Sequence, residues 1–113
     1  MEEKYVLTVD NANKQLEMTV NGTFSPEDVK NFMSEYENIV KKVKVADYIL
    51  NIDCTGLSTL HQDMIPSMEG AFKMYKATGF KKVNLNIKSA ILKMQLNRLL
   101  KSTQLENAEV ISA

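Results

Sequence analysis

One cysteine, one histidine, two prolines, four glycines and no tryptophan are all that these 113 residues supply of those types. A lone cysteine cannot close an internal disulfide, so nothing argues for an oxidising compartment. No apolar run approaches the roughly 20 residues that a membrane-spanning helix needs. The opening stretch MEEKYVLTVD places acids where a secretory leader carries bases, and no long apolar core follows. A cytoplasmic protein without membrane insertion is therefore expected. One His and one Cys cannot assemble the usual four-ligand metal set. Neither a Walker loop nor a dinucleotide glycine fingerprint occurs, so no cofactor is expected.

What remains is the composition of an ordinary globular domain, 44% hydrophobic and 25% charged. The length suits one domain, residues 1–113, with one core and no staples. Repeats, low-complexity tracts and linkers are missing. Net charge is zero but unevenly spread. From Gly70 to Leu105 there are eight bases and no acid, whereas the first 53 residues hold ten acids and six bases. A one-sign stretch can attract an anionic partner. It can equally be long side chains solvating the outer faces of helices. The lysines are dispersed over several elements, which argues against nucleic acid.

Residues 4–10 and 14–24 read as alternating strands joined by the turn signal DNAN. SPEDVKNFMSEYENIVKKVK opens as a helix. Ser25 is placed to cap and Pro26 suits the first helical position, while Val29, Phe32, Met33, Tyr36, Ile39, Val40 and Val43 form one apolar face. Residues 47–53 read as a strand. A helix follows from about Asp63, which is placed to cap it, to Thr78, with Pro66 at its third position and Gly79 as its left-handed stop. Residues 81–87 alternate again, Ser89 caps a helix AILKMQLNRLLKS, and 108–112 form a last strand.

The order β-β-α-β-α-β-α-β, with right-handed crossovers that all step the same way, predicts an α/β fold. Its mixed sheet has about five strands in the order 1-2-3-4-5, with helices mainly on one face. Asn51, Asn84 and Asn86 alternate with core positions, so the other sheet face should be partly wet.

This element order, with VNGTFSPED after the second strand and ILNIDCTGLSTLHQDMI spanning the third strand, loop and helix start, resembles the STAS domain. That is the fold of anti-sigma factor antagonists and of the cytoplasmic domains of sulfate transporters. The resemblance implies a STAS-like sheet and a bacterial-type signalling role. Its partner, possibly an anti-sigma-factor-like kinase or another signalling protein, would dock on the loop and helix after the third strand. Family members carry there an aspartate, a phosphorylatable hydroxyl, a second small hydroxyl and a glycine. Laid down without gaps from Asp53, these positions fall on His61, Gln62, Asp63 and Met64. Gln62 has no hydroxyl, so the resemblance implies a degenerate acceptor site without the usual phosphoswitch. Ser58, Thr59 and Ser67 are the hydroxyls nearby.

A Cys54–His61 pair would be the starting point for an enzyme, yet there is no second histidine and Cys54 lies near a strand end, seven residues away across a turn. Cys54 near a strand end suits a small buried apolar role. No catalytic function is expected. Projecting the second helix at about 100° per residue groups Pro66, Ser67, Gly70, Met74 and Ala77 opposite its core stripe. A smooth strip of that kind suits close approach by another protein, or coverage by the same chain. The leading expectation is a non-enzymatic protein-interaction module whose contact residues are His61, Gln62, Asp63, Pro66, Gly70 and Met74. A homodimer would use the same surface. The alternative is a domain that binds a lipid or nucleotide on the wet sheet face or the lysine-rich half.

Overall fold

The structure is a computed structural model that describes residues 5–20, 26–57, 59–60 and 62–112, apart from the side chains of residues 5, 6, 26, 29 and 63. Strands β1 (Tyr5–Asp10), β2 (Gln15–Val20), β3 (Ile49–Asp53), β4 (Lys82–Ile87) and β5 (Ala108–Ser112) alternate with helices α1 (Pro26–Val40), α2 (Ile65–Thr78) and α3 (Ala90–Thr103) after the first hairpin. They build one sheet in the order β1-β2-β3-β4-β5. The β1–β2 pair is antiparallel and every later pair is parallel. This is the expected α/β mixed sheet.

Period-2 patterning decides which sheet face is covered. Leu16, Leu50 and Val83 pair across three strands, as do Met18, Ile52 and Leu85 one step on, and all six are buried. The helices cover this face. Phe32 and Tyr36 come from α1, Phe72 and Tyr75 from α2, and Leu92, Leu96 and Leu99 from α3. The aromatic rings gather around Tyr36, whose centroid lies 5.8 Å from Tyr75 and 6.2 Å from Phe80. Burial pushes the Tyr36 phenol up to about 12, and its oxygen is paired with Thr78 Oγ1 at 2.7 Å. That bond ties the C-terminal half of α1 to the last turn of α2.

The opposite face carries a row of polar side chains, Glu17, Asn51, Asn84 and Glu109, in register across four strands. Glu17 can only accept, so Asn51 turns Nδ2 towards it and Oδ1 towards Asn84 Nδ2, at 3.3 and 2.9 Å. Asn84 Oδ1 is thereby left buried without a partner among the described residues. Lys82 Nζ and Glu109 form an ion pair at 2.9 Å beside this row.

Several boundaries differ from those read in the sequence. The third strand starts at Ile49, because Val45–Asp47 forms a 3₁₀ turn in front of it. Helix α1 ends at Val40, although Val43 still packs against the core. Strand β2 is described as far as Val20; residues 21–24 of the expected run and the Ser25 cap lie outside the described residues. The expected stops hold. Gly79 is left-handed at φ 84° and closes α2 through Tyr75 O, while Ser89 Oγ accepts from Leu92 N to start α3.

Candidate functional site

Strand β3 delivers the chain to the loop that the sequence singled out. Asp53, its last residue, accepts from both the backbone N–H and the hydroxyl of Thr55, at 2.9 and 2.6 Å, an Asx turn that bends the chain off the sheet. These two donors, helped by the charge of Lys88, hold the Asp53 carboxyl below the usual carboxylate range. Cys54 N still donates to Asn86 O, so its side chain is drawn into the core and is fully buried. Burial, with the neighbouring Asp53 charge, pushes the thiol up to about 12. Such a group is a neutral thiol near pH 7 and a poor nucleophile.

The loop is held from beneath and from the side. Leu57, Leu60 and Met64 are buried anchors. From α3, the amide of Gln95 accepts from Leu60 N at 2.8 Å and donates to Leu60 O at 3.1 Å. Thr59 Oγ1 also donates to Gln95 Oε1, at 3.1 Å. Of the hydroxyls near Gln62, Thr59 is thus engaged and exposed, and Ser67 is exposed on α2. Ser58 lies outside the described residues, and so does His61.

Gln62 is exposed on a 3₁₀ turn, Gln62–Met64, that leads into α2. The backbone of Asp63 belongs to that turn, and its side chain lies outside the described residues. The cap expected from Asp63 is corrected here. Met64 occupies the N-cap position in right-handed helical conformation with no side-chain cap bond, since a thioether offers no oxygen to the first helical N–H groups. Pro66 falls at the second helical position rather than the third, where its missing N–H is equally harmless.

The smooth strip on α2 also needs correction. Pro66, Ser67, Gly70 and Ala77 are exposed, but Met74 is half-buried against the core. Two of its residues, Ser67 and Gly70, also border a space shared with α1. Ser67, Gly70 and Ala71 stand across from Phe32 and Met33 of α1 along an apolar cavity of about 300 Å³. Met18, Val20 and Ile52 form its floor at the C-terminal ends of β2 and β3, and Met64, Met68 and Tyr75 line the rest. The origin of the space is legible from residue sizes. The Tyr36–Thr78 bond fixes the far halves of the two helices together, and three small side chains leave the near halves unfilled. Ser67 and Gly70 are the exposed residues of its lining.

Two features of the surface were missed in the sequence. Ile91 and Met94, on the outer side of α3, are the exposed large apolar side chains among the described residues, at 62% and 59%. The Gln95 clamp went unnoticed because a glutamine on an amphipathic helix looks like any solvated side chain. No group of three or more His, Cys, Asp or Glu side chains that could hold a metal ion occurs among the described residues. No helix among them is long and apolar enough to cross a membrane. Compared with models of known protein families and with curated proteins, the chain matches none.

Proposed function

We propose that this protein is a non-enzymatic interaction module of STAS type, acting in a cytoplasmic signalling or regulatory complex without the usual phosphoswitch. The observation that supports it most is an exposed, uncharged start of α2 beside loop residues that are tied to the core. Leu57, Leu60 and Met64 are buried, the Gln95 amide holds the Leu60 backbone, and Gln62, Pro66, Ser67 and Gly70 are exposed beside them. Glycine and proline on this surface let another backbone approach closely. Cys54 is sealed in the core as a neutral thiol, so the loop offers chemistry for contact rather than for nucleophilic attack.

On this reading, the partner is a protein, an anti-sigma-factor-like kinase or another signalling protein, and a second copy of the chain is the competing occupant. Affinity capture from the source cell with the wild type and with Gln62→Arg should recover one stoichiometric partner that the variant loses. Incubation with an anti-sigma kinase and ATP should leave the loop unphosphorylated, since Gln62 stands at the acceptor position. Stoichiometric phosphate on Ser58 or Thr59 would replace this reading with a shifted switch.

A further inference from the structure

We infer that the cavity between α1 and α2 is a binding site for an unbranched acyl or alkyl chain. The inference goes beyond the docking role and does not depend on it. The lining has no charged side chain and a single free hydroxyl, Ser67, at the lip. The other hydroxyl, of Tyr75, is turned to Met18 Sδ at 3.7 Å. The part of a ligand that enters therefore needs no hydrogen-bonding groups. Water gains little there, since a buried water usually needs two to four polar partners.

Shape and softness narrow the class further. About 300 Å³ is room for roughly ten methylene- or water-sized groups. Met18, Met33, Met64 and Met68 all line the space, and unbranched thioether side chains adapt to a flexible chain by rotation. A rigid polycyclic ring would instead need a fixed complementary wall. Small residues at Ser67, Gly70 and Ala71 keep the mouth clear, and a Cβ built on Gly70 would meet nothing within 4 Å. The polar end of the ligand leaves at that lip into solvent, which accommodates a free carboxylate or a phospholipid headgroup.

The methionines supply their own reporters. With methyl-labelled Met, the full chain is titrated with octanoate, decanoate, dodecanoate and decanol below their micelle concentrations, and separately with phosphatidylglycerol vesicles. Met18, Met33, Met64 and Met68 should shift, while Met94, exposed on α3, should not. Kd should fall about fourfold per added methylene and level off beyond roughly ten carbons. Response to the soluble chains assigns a free acyl ligand, and response to vesicles alone assigns a membrane lipid as the source. Ala71→Leu and, at the exposed lip, Ser67→Leu should each weaken binding at least tenfold with the melting temperature retained. Unmoved pocket methyls with every probe would overturn the assignment and leave the cavity to a partner's side chain. So would shifts that include Met94 without chain-length dependence, or binding undiminished in Ser67→Leu.

Discussion

Gln95 of α3 binds Leu60 as a neighbouring strand would, taking its N–H at 2.8 Å and giving to its C=O at 3.1 Å through one side-chain amide. Both Leu60 groups sit over a buried side chain, so losing the amide leaves a donor and an acceptor without replacement. Gln95→Ala should cost about 1–3 kcal/mol. Gln95→Glu should recover only part of that, because a carboxylate accepts from Leu60 N but cannot donate to Leu60 O. Hydrogen exchange checks the mechanism directly. The Leu60 amide should lose protection in both variants while β3 and β4 amides keep theirs, and an unchanged Leu60 amide would contradict it.

Cys54 should be unreactive in the native state. Its thiol is fully buried and held up to about 12 by burial and by the nearby Asp53 charge. A disulfide exchange reagent at pH 8 should label it only at the rate of unfolding, and completely in denaturant. The same shift has a consequence at alkaline pH. The unfolded thiol ionises near about 8.5, the folded one much higher, so above that point the unfolded state has released the proton that the folded state still holds. Stability is therefore full below about pH 8.5 and falls as pH rises towards the folded value. Tyr36, likewise raised to about 12, adds to the loss above about pH 10. Urea titrations from pH 7 to 11 should show this decline, and Cys54→Ala should start its decline later than the wild type.

Asp53 acts in the opposite sense at acid pH. Its folded carboxyl is held below the ordinary value, chiefly by the hydroxyl and N–H of Thr55. Between the folded value and the unfolded one near about 3.9, the unfolded state binds the proton more readily. The contribution is present above about pH 4 and disappears as pH falls through the folded pKa. Thr55→Val removes the 2.6 Å hydroxyl bond. Carboxyl carbon titration by NMR should then place Asp53 nearer its ordinary value, and the variant's stability should depend less on acid.

How much of this was legible in the sequence depended on whether a residue's role was local. Gly79 and Ser89 announce helix ends by their own chemistry, and both act as read. The strand order followed from element order, crossover handedness and the assumption that each crossover steps the same way. The left-handed residues Lys14 and Gln104 were not legible, because neither is a glycine. Gln104 is held at φ 57° by the helix exit itself, where Leu105, buried, donates back to Leu100 O. Asp63 looked like a cap since it precedes an apolar helix, yet the 3₁₀ turn Gln62–Met64 comes first and the cap position falls on Met64, one residue on. The cavity was out of reach for a related reason. Ser67, Gly70 and Ala71 are small in any reading, but they become a wall only once Phe32 and Met33 are known to stand opposite.

Gly70 is where the surface and the cavity meet, and it yields the sharpest test of what the α2 face does. A helical glycine lowers stability by about 1 kcal/mol relative to alanine. The free protein shows no packing reason for it, since a Cβ there would meet nothing within 4 Å and the residue is exposed. Gly70→Ala should therefore stabilise the isolated protein by about 0.5–1 kcal/mol, through helix propensity and a more restricted unfolded chain. Gly70→Arg should also fold, with a melting temperature close to that of the wild type, because a long side chain has open space to enter. A partner that docks by close approach would meet a charge in a contact it must desolvate, so the Arg variant should lose capture entirely. Alanine should weaken capture only modestly. If Gly70→Arg proves molten or insoluble, the position is covered within the domain and this helix face does not bind a partner. If it folds and still captures the same partner at full strength, docking lies elsewhere, and the exposed Ile91 and Met94 of α3 become the surface to test next.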